Sequence, residues 1–130
     1  MVEAHSQSAE ERLVNSQLDD AKRLLDGGRP DAAQVILETA RATAASIAVT
    51  DATRFRLEAL TGNYFLATRE NARAVEAFTF AIRLNGTNAR ARANLSTAKA
   101  LLGCLNEAVA DAKEAHELLP AAGFDTFHLR

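Results

Sequence analysis

The side chains that most often carry chemistry are thinly spread in this chain. His5, His116 and His128 have no spacing that would gather them as metal ligands. Cys104 is the only cysteine, which excludes an intrachain disulfide and any CxxC metal or redox motif. It falls in a turn without a base nearby in sequence, and it reads as a small filler between helices rather than a nucleophile. Glu10-Glu11 and Asp19-Asp20 are adjacent, so neither pair shares a helix face, and both read as solvated charge. A glycine-rich phosphate loop is missing, as is a strand to precede one. The expectation is a non-enzyme without metal or cofactor. Recognition chemistry is better represented. An asparagine amide offers both a donor and an acceptor, so Asn63 and Asn94 could hold a peptide backbone without reading its sequence. Arg56 and Arg90 supply cations near them in the chain.

The bulk properties narrow what could position these residues. A chain of 130 residues is one domain of ordinary size, able to bury roughly two-thirds of its unfolded surface. Aromatic residues make up 5% and tryptophan is missing, so the core must be built from Leu, Ala, Val and Phe. Abundant alanine, with two prolines and six glycines, favours an all-α chain. A formal charge of −2 and a pI near 5.9 argue against a general nucleic-acid binder. The polar segment Met1 to Glu11 has neither the basic nor the apolar region of a secretory signal. No apolar run approaches a membrane span. A soluble, cytoplasmic protein that binds neither nucleic acid nor membrane is expected.

The organising stretch runs from Ala74 to Pro120. Small or apolar residues fall at i, i+4 and i+7 in Ala74, Phe78 and Ala81, and again in Ala108, Ala112 and Ala115, with a turn former at Gly86 and Pro120. The offset, 108 − 74, is 34 residues, a period built from two short amphipathic helices. Ala33, Leu37 and Ala40 carry the same spacing earlier, 74 − 33 = 41 residues before the next copy. The seven extra residues predict two added helical turns around Val49-Thr50.

In chain order, residues 1–8 are expected to be disordered up to a capping box, Ser8-Ala9-Glu10-Glu11, in which Glu11 reaches back to the cap. The first helix carries Leu13, Val14, Leu18, Ala21, Leu24 and Leu25 and stops at Gly27-Gly28. Pro30 opens a second helix running to about Ala48. Thr50 or Asp51 caps a third, to about Arg69, with a buried stripe of Phe55, Leu57, Tyr64, Phe65 and Leu66 and a close approach of another helix at Gly62. The Ala74 helix follows, then Ala89 to Leu102 capped by Thr87-Asn88. The Ala108 helix comes last, ended by Pro120.

These motifs resemble tetratricopeptide repeats. The pattern is matched by Gly62-x2-Phe65 with Ala74-x3-Phe78-x2-Ala81, and by Asn94-Leu95-Ser96 with Ala108-x3-Ala112-x2-Ala115 and Pro120. A degenerate copy is Ala21-x2-Leu24, Pro30 and Ala33-x3-Leu37-x2-Ala40. Repeats of about 14–47, 55–88 and 89–122 would fill a domain of residues 9–120. Lys99 departs from the pattern where the family has tyrosine, so that helix is expected to pack differently or to be partly solvated there. The resemblance implies a right-handed superhelical solenoid of three helix pairs with a C-terminal cap at residues 121–130, acting as a protein-interaction scaffold.

What the resemblance implies about the site is a concave groove lined by the first helix of each pair. It would display Asn15, Asp19 and Lys22, then Arg56, Leu60, Asn63 and Leu66, then Arg90, Ala93, Asn94 and Thr97. Partner binding is assigned to Arg56, Asn63, Arg90, Asn94 and Thr97. Asn63 and Asn94 match the asparagines of the carboxylate-clamp members that bind chaperone tails, but Ala59, Phe124 and His128 stand where the clamp has cations. Arg90, Arg92 and Lys99 against Asp111, Glu114 and Glu117 predict a mildly basic groove and an acidic outer face. An acidic peptide or a free C-terminal carboxylate is therefore the expected partner. Phe124, Phe127 and Leu129 could cap the last repeat or build a homodimer. Phe80, off the buried stripe, is either an exposed contact or packed. Self-assembly and a small chaperone for a dedicated partner are the alternative functions.

Overall fold

The computed structural model describes residues 8–119, which are all-helical. The elements are α1 (Ala9–Asp26), α2 (Pro30–Ser46), α3 (Asp51–Ala67), α4 (Asn71–Leu84), α5 (Ala89–Leu101) and α6 (Leu105–Leu118). The segment before Ser8 and the tail with Phe124, Phe127 and Leu129 lie outside the described residues. Among the described residues, no helix is long and apolar enough to cross a membrane.

Helix starts follow local chemistry. Ser8 Oγ accepts from the Glu11 amide at 3.0 Å, Thr50 Oγ1 from the Thr53 amide at 3.3 Å and Asn88 Oδ1 from the Ala91 amide at 2.9 Å, each satisfying an N–H that the helix leaves unpaired. Pro30 occupies the first position of α2, where a missing N–H costs nothing.

Helix stops follow one motif used three times. Gly28, Arg69 and Gly103 have φ of 76°, 65° and 89°. Around each, two backbone bonds close the preceding helix: Gly28 N–H to Leu25 and Arg29 N–H to Leu24, Arg69 N–H to Leu66 and Glu70 N–H to Phe65, Gly103 N–H to Ala100 and Cys104 N–H to Lys99. This is the Schellman arrangement. The last two turns lie 103 − 69 = 34 residues apart, the offset of the alanine stripe. Arg69 departs from glycine, and an L side chain in the left-handed region costs roughly 1–2 kcal/mol, offset in part by the unfolded-state entropy that glycine adds. Arg69→Gly is therefore expected to raise the melting temperature by about 2–4 °C in a thermal circular-dichroism scan; a decrease would show that the arginine side chain stabilises more than its backbone strain costs. The left-handed Arg69 and the extended Ile47 (φ −134°, ψ 166°) end α3 and α2 about two residues earlier than the sequence suggests.

Each helix packs against its neighbour in the chain. In addition α1 packs on α3 and α3 on α5, whereas α2 does not touch α4, nor α4 touch α6, among the described residues. One core joins Val14, Leu18 and Ala21 of α1 to Ala33, Leu37, Ala40 and Ala44 of α2 and Leu57 and Leu60 of α3. A second joins Ala74 and Phe78 of α4 to Leu95 and Ala98 of α5. The stripe Ala33–Leu37–Ala40 is buried, as are Ala74–Phe78–Ala81, Ala108 and Ala115. Ala112 is exposed, because it lies on the outer side of the last helix pair with no described element over it.

The stripe expected on α3 is corrected. Phe55, Tyr64, Phe65 and Leu66 are half-buried, and the buried positions are Thr53, Leu57, Glu58, Leu60 and Gly62. A helix packed against four others (α1, α2, α4 and α5) has no single apolar face. Leu13 is likewise 52% exposed, outside the face that α1 turns toward α2 and α3. Gly62 is the close approach anticipated: a methyl group there would sit 2.7 Å from the Phe78 ring.

Candidate functional site

Because α1, α3 and α5 form a row, side chains one or two turns apart on different helices come together. A hollow of about 300 Å³ opens on this row, lined by Lys22 of α1, by Arg56, Ala59 and Asn63 of α3, and by Arg90 and Asn94 of α5. Asn94 Nδ2 donates to Asn63 Oδ1 at 3.0 Å. Both amides are half-buried. That bond uses one donor atom and one acceptor atom. It leaves Asn63 Nδ2 and Asn94 Oδ1 without a protein partner among the described residues, one donor and one acceptor, which are the two kinds of group a peptide backbone can pair with.

The cations around the amides differ in what holds them. Arg56 Nη1 donates to Asn15 Oδ1 at 3.0 Å and its Nη2 to Asp19 Oδ1 at 2.6 Å, so its charge is compensated within the chain and its guanidinium is fixed. Asn15 is itself anchored, donating to Thr53 Oγ1 at 2.9 Å. Arg90 is exposed and has no ion pair among the described residues. Lys22 makes only an exposed pair with Asp26 at 2.7 Å, worth a few tenths of a kcal/mol. Leu60, expected on the groove face, lines the hollow from its place in the first core, whereas Leu66 packs against the second core instead.

Four of the five sequence-assigned residues thus line one hollow. Thr97 does not. Its hydroxyl bonds back to the Ala93 carbonyl at 3.2 Å, and it lines a neighbouring hollow of about 540 Å³ between α5 and α6, with Arg90, Ala93, Ala112, Ala115 and Leu119.

Lys22, Arg56 and Arg90 line the hollow without an acidic residue among its described lining, but the charge expected there from Arg92 and Lys99 is corrected. Arg92 pairs with Glu114 at 3.0 Å, and Lys99 with Asp111 at 2.6 Å and Glu107 at 3.5 Å, so these cations face α6. The hydrogen bond from Lys99 to Asp111 holds the ammonium above its ordinary range against the opposing effect of burial. Lys99 is half-buried at 18% side-chain exposure and turned toward α6 by its ion pairs, in line with the different packing or partial solvation expected at this departure from the pattern. Of the α5 cations, Arg90 alone faces the hollow.

Two other expectations fail. Cys104 is exposed, so it fills no gap between helices. Glu11 is buried at 2% exposure rather than solvated, and its carboxylate does not reach back to the cap. Its Oε2 accepts from the Thr50 amide at 2.9 Å, the Thr50 hydroxyl at 2.7 Å and the Thr53 hydroxyl at 2.6 Å, at the positive end of α3. Burial alone would raise its pKa, but the bonds from Thr50 and Thr53 outweigh it and leave it below the ordinary glutamate value. This network runs on through Thr53 to Asn15 and so to Arg56. In sequence its only trace is a glutamate three residues after a serine, which equally signals a capping box.

No family model matches the chain, and no curated protein matches it.

Proposed function

We propose that the chain is a non-catalytic protein-interaction module of the tetratricopeptide type, its three helix pairs stacked as a right-handed superhelical solenoid. The partner is an extended peptide laid along the α1–α3–α5 row. The observation that carries this reading is the Asn94–Asn63 bond across α3 and α5, beside an Arg90 that has no ion pair among the described residues. The amide pair offers one donor and one acceptor to a peptide backbone, and Arg90 meets an acidic side chain or a terminal carboxylate. Packing confined to neighbouring helices and turns recurring at the stripe's own period support the stacked arrangement.

The test is calorimetric titration with an acidic peptide bearing a free C-terminal carboxylate, alongside its amidated twin. Binding of the free-acid form on the order of micromolar, near −8 kcal/mol, is expected. The Arg90→Ala/Asn94→Ala double variant should weaken it about tenfold or more while lowering stability by only about 1 kcal/mol, the loss of one amide bond. Unchanged affinity in that variant removes the groove from consideration.

A second reading, self-assembly, draws on a specific observation: Leu101, Leu102, Leu105 and Val109 are 46–62% exposed around the α5–α6 turn. Contiguous apolar surface of this kind marks interaction sites. Light scattering separates the readings, because a dimer that dissociates in Leu105→Glu favours this one and a strict monomer excludes it.

A further inference from the structure

On the side of α3 away from Asn63 and Asn94, two hollows run into one another. One, of about 410 Å³, has Leu37, Tyr64 and Phe65 along its floor. The other, of about 320 Å³, continues to Phe80. Arg41, Thr61, Phe65 and Arg73 line both. The cleft lies where α2 and α4 stand apart over α3.

The next helix pair shows why this cleft stays open. One 34-residue period separates Glu58, Phe65, Arg73 and Phe80 from Arg92, Lys99, Glu107 and Glu114. In the α5–α6 pair these positions form ion pairs, Arg92 with Glu114 and Lys99 with Glu107, and the hollow beside Arg92 and Glu114 is only about 140 Å³. In the α3–α4 pair, Arg41 draws Glu58 across to α2 through two bonds of 3.0 and 3.1 Å. Phe80, the counterpart of Glu114, is left 42% exposed. Arg73 lies over the Phe65 ring at 5.8 Å and 3.6 Å from Glu70, while Tyr64 and Phe65 stand with ring centroids 5.3 Å apart.

The charge balance of the cleft selects its occupant. Arg41–Glu58 and Arg73–Glu70 cancel. Glu38 and Glu76, exposed on its walls, have no ion-pair partner among the described residues. Burial and then the fields of Glu70, Asp31 and Glu38 hold the Tyr64 phenol above its ordinary range, consistent with an acidic surround. The geometry points to this cleft as a second docking site, for a basic segment of a partner protein that carries an aromatic or aliphatic anchor. The anchor packs on Tyr64, Phe65 and Phe80, and flanking lysines or arginines reach Glu38 and Glu76. Among the described residues, an acidic segment would meet two uncompensated carboxylates and no unpaired cation lining the cleft.

The experiment titrates ¹⁵N-labelled full-length protein with a capped lysine–leucine–phenylalanine–leucine–lysine peptide and with its twin carrying glutamate in place of lysine. The lysine peptide is expected to shift the amides of Tyr64, Phe65, Arg73 and Phe80 saturably with a Kd below about 1 mM, and the glutamate twin to bind at least about tenfold more weakly. Glu38→Lys with Glu76→Lys should reverse that preference. Phe80→Ser, an exposed position that the fold does not need, should weaken binding about tenfold. Asn63→Ala with Asn94→Ala should leave it unchanged, which separates this site from the groove of the proposed function. Equal binding of the two peptides, lack of saturation, or shifts confined to the Asn63–Asn94 hollow would each overturn the assignment. So would shifts at Phe80 that grow with protein concentration alone, since the occupant would then be a second copy of the chain.

Discussion

Phe78→Ala is expected to lower the melting temperature by roughly 15 °C. Phe78 is the largest fully buried side chain among the described residues, and it joins α4 to α5 in the core with Ala74, Leu95 and Ala98 while its ring lies against Gly62 of α3. Truncating a buried phenylalanine costs about 3–5 kcal/mol, against a total stability of about 5–15 kcal/mol for a domain. At about 4 °C per kcal/mol for this size, that gives the shift stated. Gly62 makes the explanation specific. In the wild type, Gly62→Ala would gain about 1 kcal/mol in helix propensity but would drive a methyl to 2.7 Å from a fully buried ring. The overlap costs about 1–3 kcal/mol, so the net effect is destabilising. In the Phe78→Ala background the same substitution loses its clash and becomes stabilising by about 1 kcal/mol. Chemical denaturation of the four proteins of this cycle measures that reversal of sign. A Gly62→Ala effect that is the same in both backgrounds would show that the close approach is not what requires glycine.

The second large effect lies at the junction of α1 and α3. Glu11→Gln should cost about 2 kcal/mol at pH 7, because charge-assisted bonds from Thr50 and Thr53 are replaced by neutral ones. The cost has a definite pH dependence. The folded carboxyl titrates below its ordinary value, so the stabilisation from the carboxylate is present above the unfolded value of about 4.3. It is lost as pH falls through the lower, folded value. The stability gap between wild type and Glu11→Gln should therefore be widest near neutrality and narrow steadily below about pH 4. Melting curves of both proteins from pH 7 to pH 3 measure it, and a gap that stays constant over that range contradicts the network. Because Thr53 and Asn15 link Glu11 to Arg56, the variant should also loosen the Arg56 guanidinium beside the Asn63–Asn94 hollow.

The helices, their order and most of their ends were legible from residue 8 to 119. Period and capping are local properties: a 3.6-residue stripe needs only its own helix, and Ser8, Pro30, Thr50 and Asn88 act within one turn. Asn63, Asn94, Arg56 and Arg90, singled out in the sequence, share a hollow: Arg56 and Arg90 are one 34-residue period apart, whereas Asn94 follows Asn63 by 94 − 63 = 31 residues, one helical turn short of the period and on the same side of α5.

What sequence could not reveal was which charges would be turned inward. Glu11, Glu58, Asp111 and Lys99 look in sequence like any solvated residue. Their burial depends on partners that are far away in the chain or on another helix: Thr50 and Thr53, Arg41, and Lys99 with Asp111. The same dependence emptied the groove of the charge expected of Arg92 and Lys99. It also left Phe80 uncovered, since Glu58 pairs toward α2. Spacing along one helix determines which face a residue lies on; what meets that face, and whether a charge there is free or already matched, is set when the helices pack.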